Sequence, residues 1–304
     1  MNKKFPPWLR KRVVINEKVD RTSEILKDLC LHTVCEEAGC PNINECFSQS
    51  TATFMILGNL CTRNCRFCGI KKVSPSPSSP PVKGGEKRGG GLPIDNTEPA
   101  RVAEAAERLG LKYVVITSVT RDDLVDGGAS QFADTIFAVK EKIPDVKVEV
   151  LVPDLQGFEK SLKTVLSAKP DVFNHNLETI ERLYPEVRPQ ANYRRSLKVL
   201  RFAKEAGFIT KSGMMLGFGE RKEEVVKAMQ DLREVGCDLL AIGQYLQPNK
   251  KCSSVERFIS PKEFSEYEEI GEKLGFASVV SGPFVRSSYH AAEMERINSG
   301  DKEK

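Results

Sequence analysis

Six short apolar runs, each followed by a helix-like stretch, restrict this chain of 304 residues to a small set of folds. The runs ATFMILG (52–58), YVVITSV (113–119), KVEVLVP (147–153), DVFNHNL (171–177), FITKSGMML (208–216) and DLLAIGQYL (238–246) read as strands. Between them lie helical patterns such as EPARVAEAAERLG (98–110) and KEEVVKAMQDLREVG (222–236). In the latter Val225, Met229 and Leu232 recur at i, i+4 and i+7, and Gly236 closes the pattern as a C-cap. Strands alternating with helices predict parallel βα units. Six such units predict an α/β fold closing partway into a (β/α)6 barrel, with chemistry at the C-terminal strand ends. Polar residues and glycine gather at those ends: Thr117, Ser118, Asp154, Asn174, Asn176, Lys211, Gly213 and Gln244. With 40% apolar residues the chain can bury a substantial core.

The cysteines come in two triads. CEEAGCPNINEC (35–46) has the spacing C-x4-C-x5-C, and CTRNCRFC (61–68) has C-x3-C-x2-C. The second follows the first strand directly, which puts Cys61, Cys65 and Cys68 in the first βα loop, on the active face. A structural zinc site closes with four ligands, and this loop offers three. Three thiolates on a four-iron cluster would leave one iron open, as a catalytic metal keeps one open position. Phe67 could shield such a cluster from water. A zinc knuckle completed by a distant residue is the alternative. Cys35, Cys40 and Cys46 pose the same question: zinc with His32 as fourth ligand, or an auxiliary cluster with a ligand from elsewhere.

The CxxxCxΦC pattern after the first strand resembles the signature of the radical S-adenosylmethionine (SAM) superfamily. The two triads together resemble the lipoyl synthase family within it. The likeness continues in order through VITSVTRDDLVDGGASQFA (115–133), EVLVPDLQG (149–157), DVFNHNLET (171–179), VRP (187–189), TKSGMMLGFGE (210–220), GQYLQP (243–248) and GPFVRSSYHA (282–291). The resemblance implies a partial (β/α)6 barrel of the radical SAM type, with amino- and carboxy-terminal extensions covering the barrel mouth. It divides the chain into an extension carrying the auxiliary triad (1–50), the barrel (51–280) and a carboxy-terminal segment with RSSYHA (281–304). A Pro/Gly/Ser-rich insertion at about 75–91 departs from the family pattern; its composition predicts an extended or disordered connection.

What the resemblance implies chemically is specific. It implies two [4Fe–4S] clusters and SAM as cofactors, with SAM on the open iron of the 61–68 cluster. Reductive cleavage of SAM would give a 5′-deoxyadenosyl radical that abstracts hydrogen from unactivated carbon. The product would be an octanoyl-lysine chain with sulfur inserted at carbons six and eight, the sulfur coming from the auxiliary cluster. The fourth ligand of that cluster is implied to be Ser288, with Ser287 as second choice. A serine oxygen is a weak, hard ligand for iron–sulfur, which suits a cluster that must be dismantled. Thr117, Asn176, Glu178, Arg188 and Gly213 fall at strand ends where SAM and substrate would bind. Asn176 and Glu178 could hold ribose hydroxyls and Arg188 the methionyl carboxylate; loop-structuring hydrogen bonds are the alternative for each. His175 and His290 lack metal-ligand spacing, and Cys30, Cys237 and Cys252 fit no cluster pattern.

The implied partners are octanoylated lipoyl carrier domains (2-oxoacid dehydrogenase acyltransferase subunits and the glycine cleavage H protein), a low-potential flavodoxin- or ferredoxin-type electron donor, and an iron–sulfur carrier for cluster repair. The formal charge of +4 is mild and no basic face with interleaved aromatics is visible, which argues against a zinc-ribbon nucleic-acid protein. A ferredoxin-like carrier would need four cysteines per cluster. The nearest rival is another radical SAM sulfurtransferase with an auxiliary cluster, biotin synthase-like. The basic stretch MNKKFPPWLRKR (1–12) reads as a solvated arm or a steering element for an acidic partner. No secretory signal or membrane-length apolar run is visible, so a cytoplasmic protein with reduced thiols is expected.

Overall fold

The structure, a computed structural model, describes residues 5–11, 16–73, 91–289 and 291–299, without the side chains of 296–299. The insertion expected at about 75–91 therefore lies outside the described residues except for Gly91, and so does His290. The chain divides into two compact units, Val13–Asn64 with Cys68–Asp171, and Met1–Arg12 with Cys65–Phe67 and Val172–Lys304.

The first unit runs α1 (Glu17–Asp28), β1 (His32–Thr33), α2 (Val34–Glu37), α3 (Ile43–Ser48), β2 (Thr53–Ile56), β3 (Leu60–Cys61), β4 (Lys71–Lys72), α4 (Glu98–Arg108), β5 (Tyr113–Ser118), α5 (Ala129–Lys142), β6 (Lys147–Leu151) and α6 (Glu159–Ser167). Strands β2, β5 and β6 pair in parallel, Phe54 against Ile116 and Ile116 against Val150, and β1 adds to β2 antiparallel. These strands are buried on both faces, which is why they read as continuous apolar runs rather than alternating ones. Helix α1 starts where the Asn16 side chain accepts from the Val19 N–H and seats Ile25 and Leu26 in the core.

The second unit continues with β7 (Val172–Asn174), α7 (Tyr184–Val187), α8 (Tyr193–Glu205), β8 (Ile209–Leu216), α9 (Lys222–Glu234), β9 (Leu239–Gln244), α10 (Pro261–Lys273), β10 (Ser278–Gly282) and α11 (Ala291–Ser299). Its strands lie in the order β7-β8-β9-β10, all parallel. The α9 stripe is as the spacing predicts: Val225, Met229 and Leu232 are fully buried. Gly236, at φ +83°, ends it, with its N–H on the Arg233 carbonyl and the Cys237 N–H on the Leu232 carbonyl. Cys237 is sealed in this core, and burial pushes its thiol up to about 12.

Two features depart from expectation. Strand β10 departs from the sequence pattern: SVVSG is short and has only Val279 and Val280 as apolar residues, and its strand character comes from pairing Ser278–Gly282 along Leu239–Gly243. The amino-terminal arm is not merely solvated. Within its unit, Trp8 Nε1 donates to the Ile259 carbonyl at 3.1 Å, Phe5 lies against the Phe258 ring, and Leu9 is buried. Lys11 places its ammonium over the rings of Phe284 and Tyr289, at 5.2 and 5.4 Å. The contacts of Phe5, Trp8 and Leu9 outweigh the charge that suggested an arm in water.

Candidate active site

The first triad belongs to a short helical knot. Thr33 caps α2, its hydroxyl accepting from the Glu36 N–H at 3.2 Å and donating to the Glu36 carboxylate at 2.8 Å. Cys35 sits in α2, the Cys40 N–H returns to the Cys35 carbonyl at 2.9 Å, and the Cys46 N–H in α3 reaches the Asn42 carbonyl at 2.9 Å. Burial pushes the Cys35 thiol up to about 12 against the pull of Thr53, and the negative charge of Cys40 and Cys46 adds to the rise. The Cys35 thiol is thus within electrostatic reach of Cys40 and Cys46. His32, the candidate zinc ligand, turns Nδ1 to Glu37 at 3.3 Å, and Glu37 also accepts from Asn59 at 3.1 Å. Among the described residues no three His, Cys, Asp or Glu side chains form a cage for a single ion.

The second triad leaves β3. The Cys61 carbonyl accepts from the Val73 N–H at 3.0 Å, and Cys61 Sγ accepts from the Arg63 N–H at 3.5 Å. Cys61 and Cys68 belong to the first unit, while Cys65 belongs to the second. In the second unit the Arg66 N–H donates to the Val187 carbonyl and its carbonyl accepts from the Ser253 N–H; Phe67 packs on the apolar core there. Phe67 is therefore a packing residue of the second unit's core.

Four of the five candidate SAM-site residues converge within the second unit. Asn176 follows β7, Gly213 is on β8, and Glu178 returns beside Gly213, its N–H on the Gly213 carbonyl at 2.9 Å and its carbonyl taking the Met215 N–H at 2.8 Å. Asn176 Nδ2 donates to Glu178 Oε1 and to Ser287 Oγ, both at 3.1 Å, while its buried Oδ1 finds no donor among the described residues. A Cβ on Gly213 would lie 2.7 Å from that Oδ1 and 3.2 Å from the Ser287 Cβ, so only glycine allows the approach. Arg188 Nη1 donates to the carbonyls of Asn176 and Leu177 and to Tyr184 Oη at 3.0–3.1 Å. Burial lifts the Glu178 carboxyl above its ordinary range despite the positive charges of Arg188 and Arg286. Thr117, the fifth candidate, lies in the first unit, where its hydroxyl donates to the Leu151 carbonyl at 2.9 Å.

RSSYHA enters the same unit as a turn. The Tyr289 N–H returns to the Arg286 carbonyl at 2.9 Å, which puts Ser287 and Ser288 at its two corners. Gly243 makes room for it, because a Cβ there would stand 2.0 Å from the Val285 carbonyl oxygen. Ser287 is engaged by Asn176; Ser288 is half-buried. Sequence reasoning missed the Asn176–Ser287 bond, since 111 residues separate the partners and neither motif points to the other. It also missed the buried charges around Arg63, although TRDD after one strand and Asp154 after the next were visible signals.

The comparisons with known proteins agree. The Radical SAM superfamily model matches residues 55–232. Among solved structures, the FeFe-hydrogenase maturase HydG from Carboxydothermus hydrogenoformans superposes at a TM-score of 0.56 with 17% identity, covering 80% of this chain and 55% of that one. The α/β fold with its mostly parallel strands, and the three-thiol loop after the first of its parallel strands, define a radical SAM enzyme. The lipoyl synthase of Caldanaerobacter subterraneus subsp. tengcongensis is 54% identical over 293 residues, 96% of this chain and 97% of the relative. That of Aquifex aeolicus is 54% identical over 287 residues, 94% and 98% of the two chains. The chain belongs to the lipoyl synthase family of the radical SAM superfamily, with the activity of that family and SAM and two [4Fe–4S] clusters as its cofactors.

Proposed function

We propose that the two triads divide the reaction between them. Cys61, Cys65 and Cys68 hold the cluster that presents SAM, and Cys35, Cys40, Cys46 and Ser288 hold the cluster that gives up sulfur to an octanoyl chain on a carrier domain. A cluster held by Cys61, Cys65 and Cys68 would, with SAM, supply a radical able to abstract hydrogen from unactivated carbon. The observation that carries the reading is the presence of two cysteine triads, C-x4-C-x5-C and C-x3-C-x2-C, where one cluster needs one, in a chain 54% identical to a lipoyl synthase.

The remaining residues orient and exclude. The unpartnered Asn176 Oδ1 suits a ribose hydroxyl, with Gly213 leaving the space and Glu178 beside it as a second acceptor. Arg188 supplies positive charge for the methionyl carboxylate while holding the 176–177 backbone. Thr117, near the end of β5, is the fifth candidate contact for SAM. Residues 1–50 and 281–304 act as extensions to the barrel of 51–280. The octanoylated carriers are acyltransferase subunits of 2-oxoacid dehydrogenases and the glycine cleavage H protein, served by a flavodoxin- or ferredoxin-type donor and an iron–sulfur carrier. A cytoplasmic setting fits nine free cysteines, and no helix among the described residues is long and apolar enough to cross a membrane.

Paired substitutions test the division. Cys65→Ala should abolish 5′-deoxyadenosine formation. Cys40→Ala should leave it measurable while removing sulfur-bearing product. Lipoyl product from Cys40→Ala would sink the donor role of the first triad.

A further inference from the structure

A buried charge cluster braces the loop that begins CTRNCRFC. Arg63 donates from Nε to Asp122 Oδ2 at 2.7 Å, and from Nη2 to Asp122 Oδ1 at 2.8 Å and Asp154 Oδ1 at 2.6 Å. The guanidinium is 3% exposed and the carboxylates 2% and 0%. Buried ion clusters are poor stabilisers compared with apolar groups of the same volume, so their value lies in the geometry they fix.

That geometry is local and specific. Asp122 follows β5, Asp154 follows β6, and Arg63 follows β3, so one guanidinium ties three connections together within the first unit. Thr62 is stitched to the same place: its N–H and hydroxyl donate to the Thr120 carbonyl at 3.0 and 2.9 Å, and its oxygen accepts from the Asp122 N–H at 3.0 Å. The residue so pinned is the one whose own N–H donates to Cys61 Sγ at 3.5 Å. Hydrogen bonds to ligand sulfurs tune the potential of iron–sulfur clusters.

We propose that Arg63 is a positioning residue for the SAM-binding cluster: pinned by Asp122 and Asp154, it keeps the backbone N–H of its own residue aimed at the Cys61 sulfur. The proposal rests on the reading of Cys61 as a ligand of that cluster. It assigns Asp122 and Asp154 to the support of the loop rather than to substrate.

The test uses the full chain, reconstituted anaerobically, as Arg63→Gln, Arg63→Lys, Asp154→Asn and Cys61→Ala. Iron and sulfide per chain, the EPR spectrum of the reduced clusters with and without SAM, and the rate of 5′-deoxyadenosine formation are measured. Arg63→Gln should keep its iron yet alter the EPR signal of the SAM-responsive cluster and slow cleavage by about tenfold or more, the usual scale for losing an outer support of a metal ligand. Arg63→Lys should recover part of both, and Asp154→Asn should shift the signal in the same direction. A folded Arg63→Gln protein with the parent spectrum and a rate within about twofold overturns the proposal. If Arg63→Gln does not fold, Asp154→Asn decides: an unchanged spectrum overturns it. Cys61→Ala separates the two readings, because full iron with normal cleavage there would remove the ligand assignment itself.

Discussion

Glu178 is held in a state that folding alone would not choose. Its φ of +69° is left-handed, a region sparsely visited by residues other than glycine, and its carboxyl is buried. Non-glycine residues persist there where surrounding bonds over-determine them, as the Gly213 and Met215 bonds do here. Because the folded carboxyl is raised above its unfolded value, its favourable contribution is fully present below the ordinary carboxylate range and is lost as pH rises through the folded value. Glu178→Gln should therefore unfold at higher urea than the parent at pH 8, with the gap closing toward pH 4, while SAM binding weakens. A variant less stable than the parent at pH 8 would contradict this. Ser288 gives a separate residue-scale prediction. With Ser287 engaged by Asn176, Ser288→Ala should spare reductive cleavage and stop sulfur insertion. Ser288→Cys should bind iron more firmly and hold back the sulfur. Near-normal lipoyl yield from both in a single turnover would rule Ser288 out.

At the scale of elements, close approach does much of the assembly. Gly213→Ala should push the Asn176 amide out of place and lower SAM affinity, by calorimetry, while the cluster content stays normal. Unchanged affinity would separate Asn176 from SAM. The arm predicts differently: Trp8→Ala removes the bond to Ile259 and the indole that makes it, so it should free residues 5–11 for proteolysis. Protection equal to the parent would mean that Phe5 and Leu9 suffice. Six of the parallel strands and the helix stripe of α9 were legible because burial on both faces writes a continuous apolar run, and a 3.6-residue period is hard to mistake. Strand β10 and the docked arm were not, since neither carries its own periodicity and both depend on partners far along the chain. Of the site, the cysteines were legible from spacing. The Asn176–Ser287 and Arg63–Asp154 contacts were not, because side-chain bonds between residues 111 and 91 positions apart leave no local trace.

For the molecule as a whole, ligand binding and folding share one equilibrium. SAM should stabilise only the form in which an open iron is present. At about 100 times its dissociation constant it should add about 2.7 kcal/mol to the cluster-loaded protein. The metal-free chain or Cys65→Ala should show no such rise in a thermal scan, and an equal rise in all three would place SAM binding away from the cluster.

The sealing of Cys237 also makes the chain its own gauge of iron loading. Its thiol is buried and keeps its proton, whereas Cys30 is exposed and Cys252 half-buried. Under native conditions an alkylating reagent should mark Cys30 readily, Cys252 slowly and Cys237 hardly at all. Any further mass added after a chelator strips the protein must come from the six cysteines of the two triads. Intact-mass increments of up to three per triad would then count how many chains in a preparation carried one cluster, both or neither, with no spectrum of the iron required.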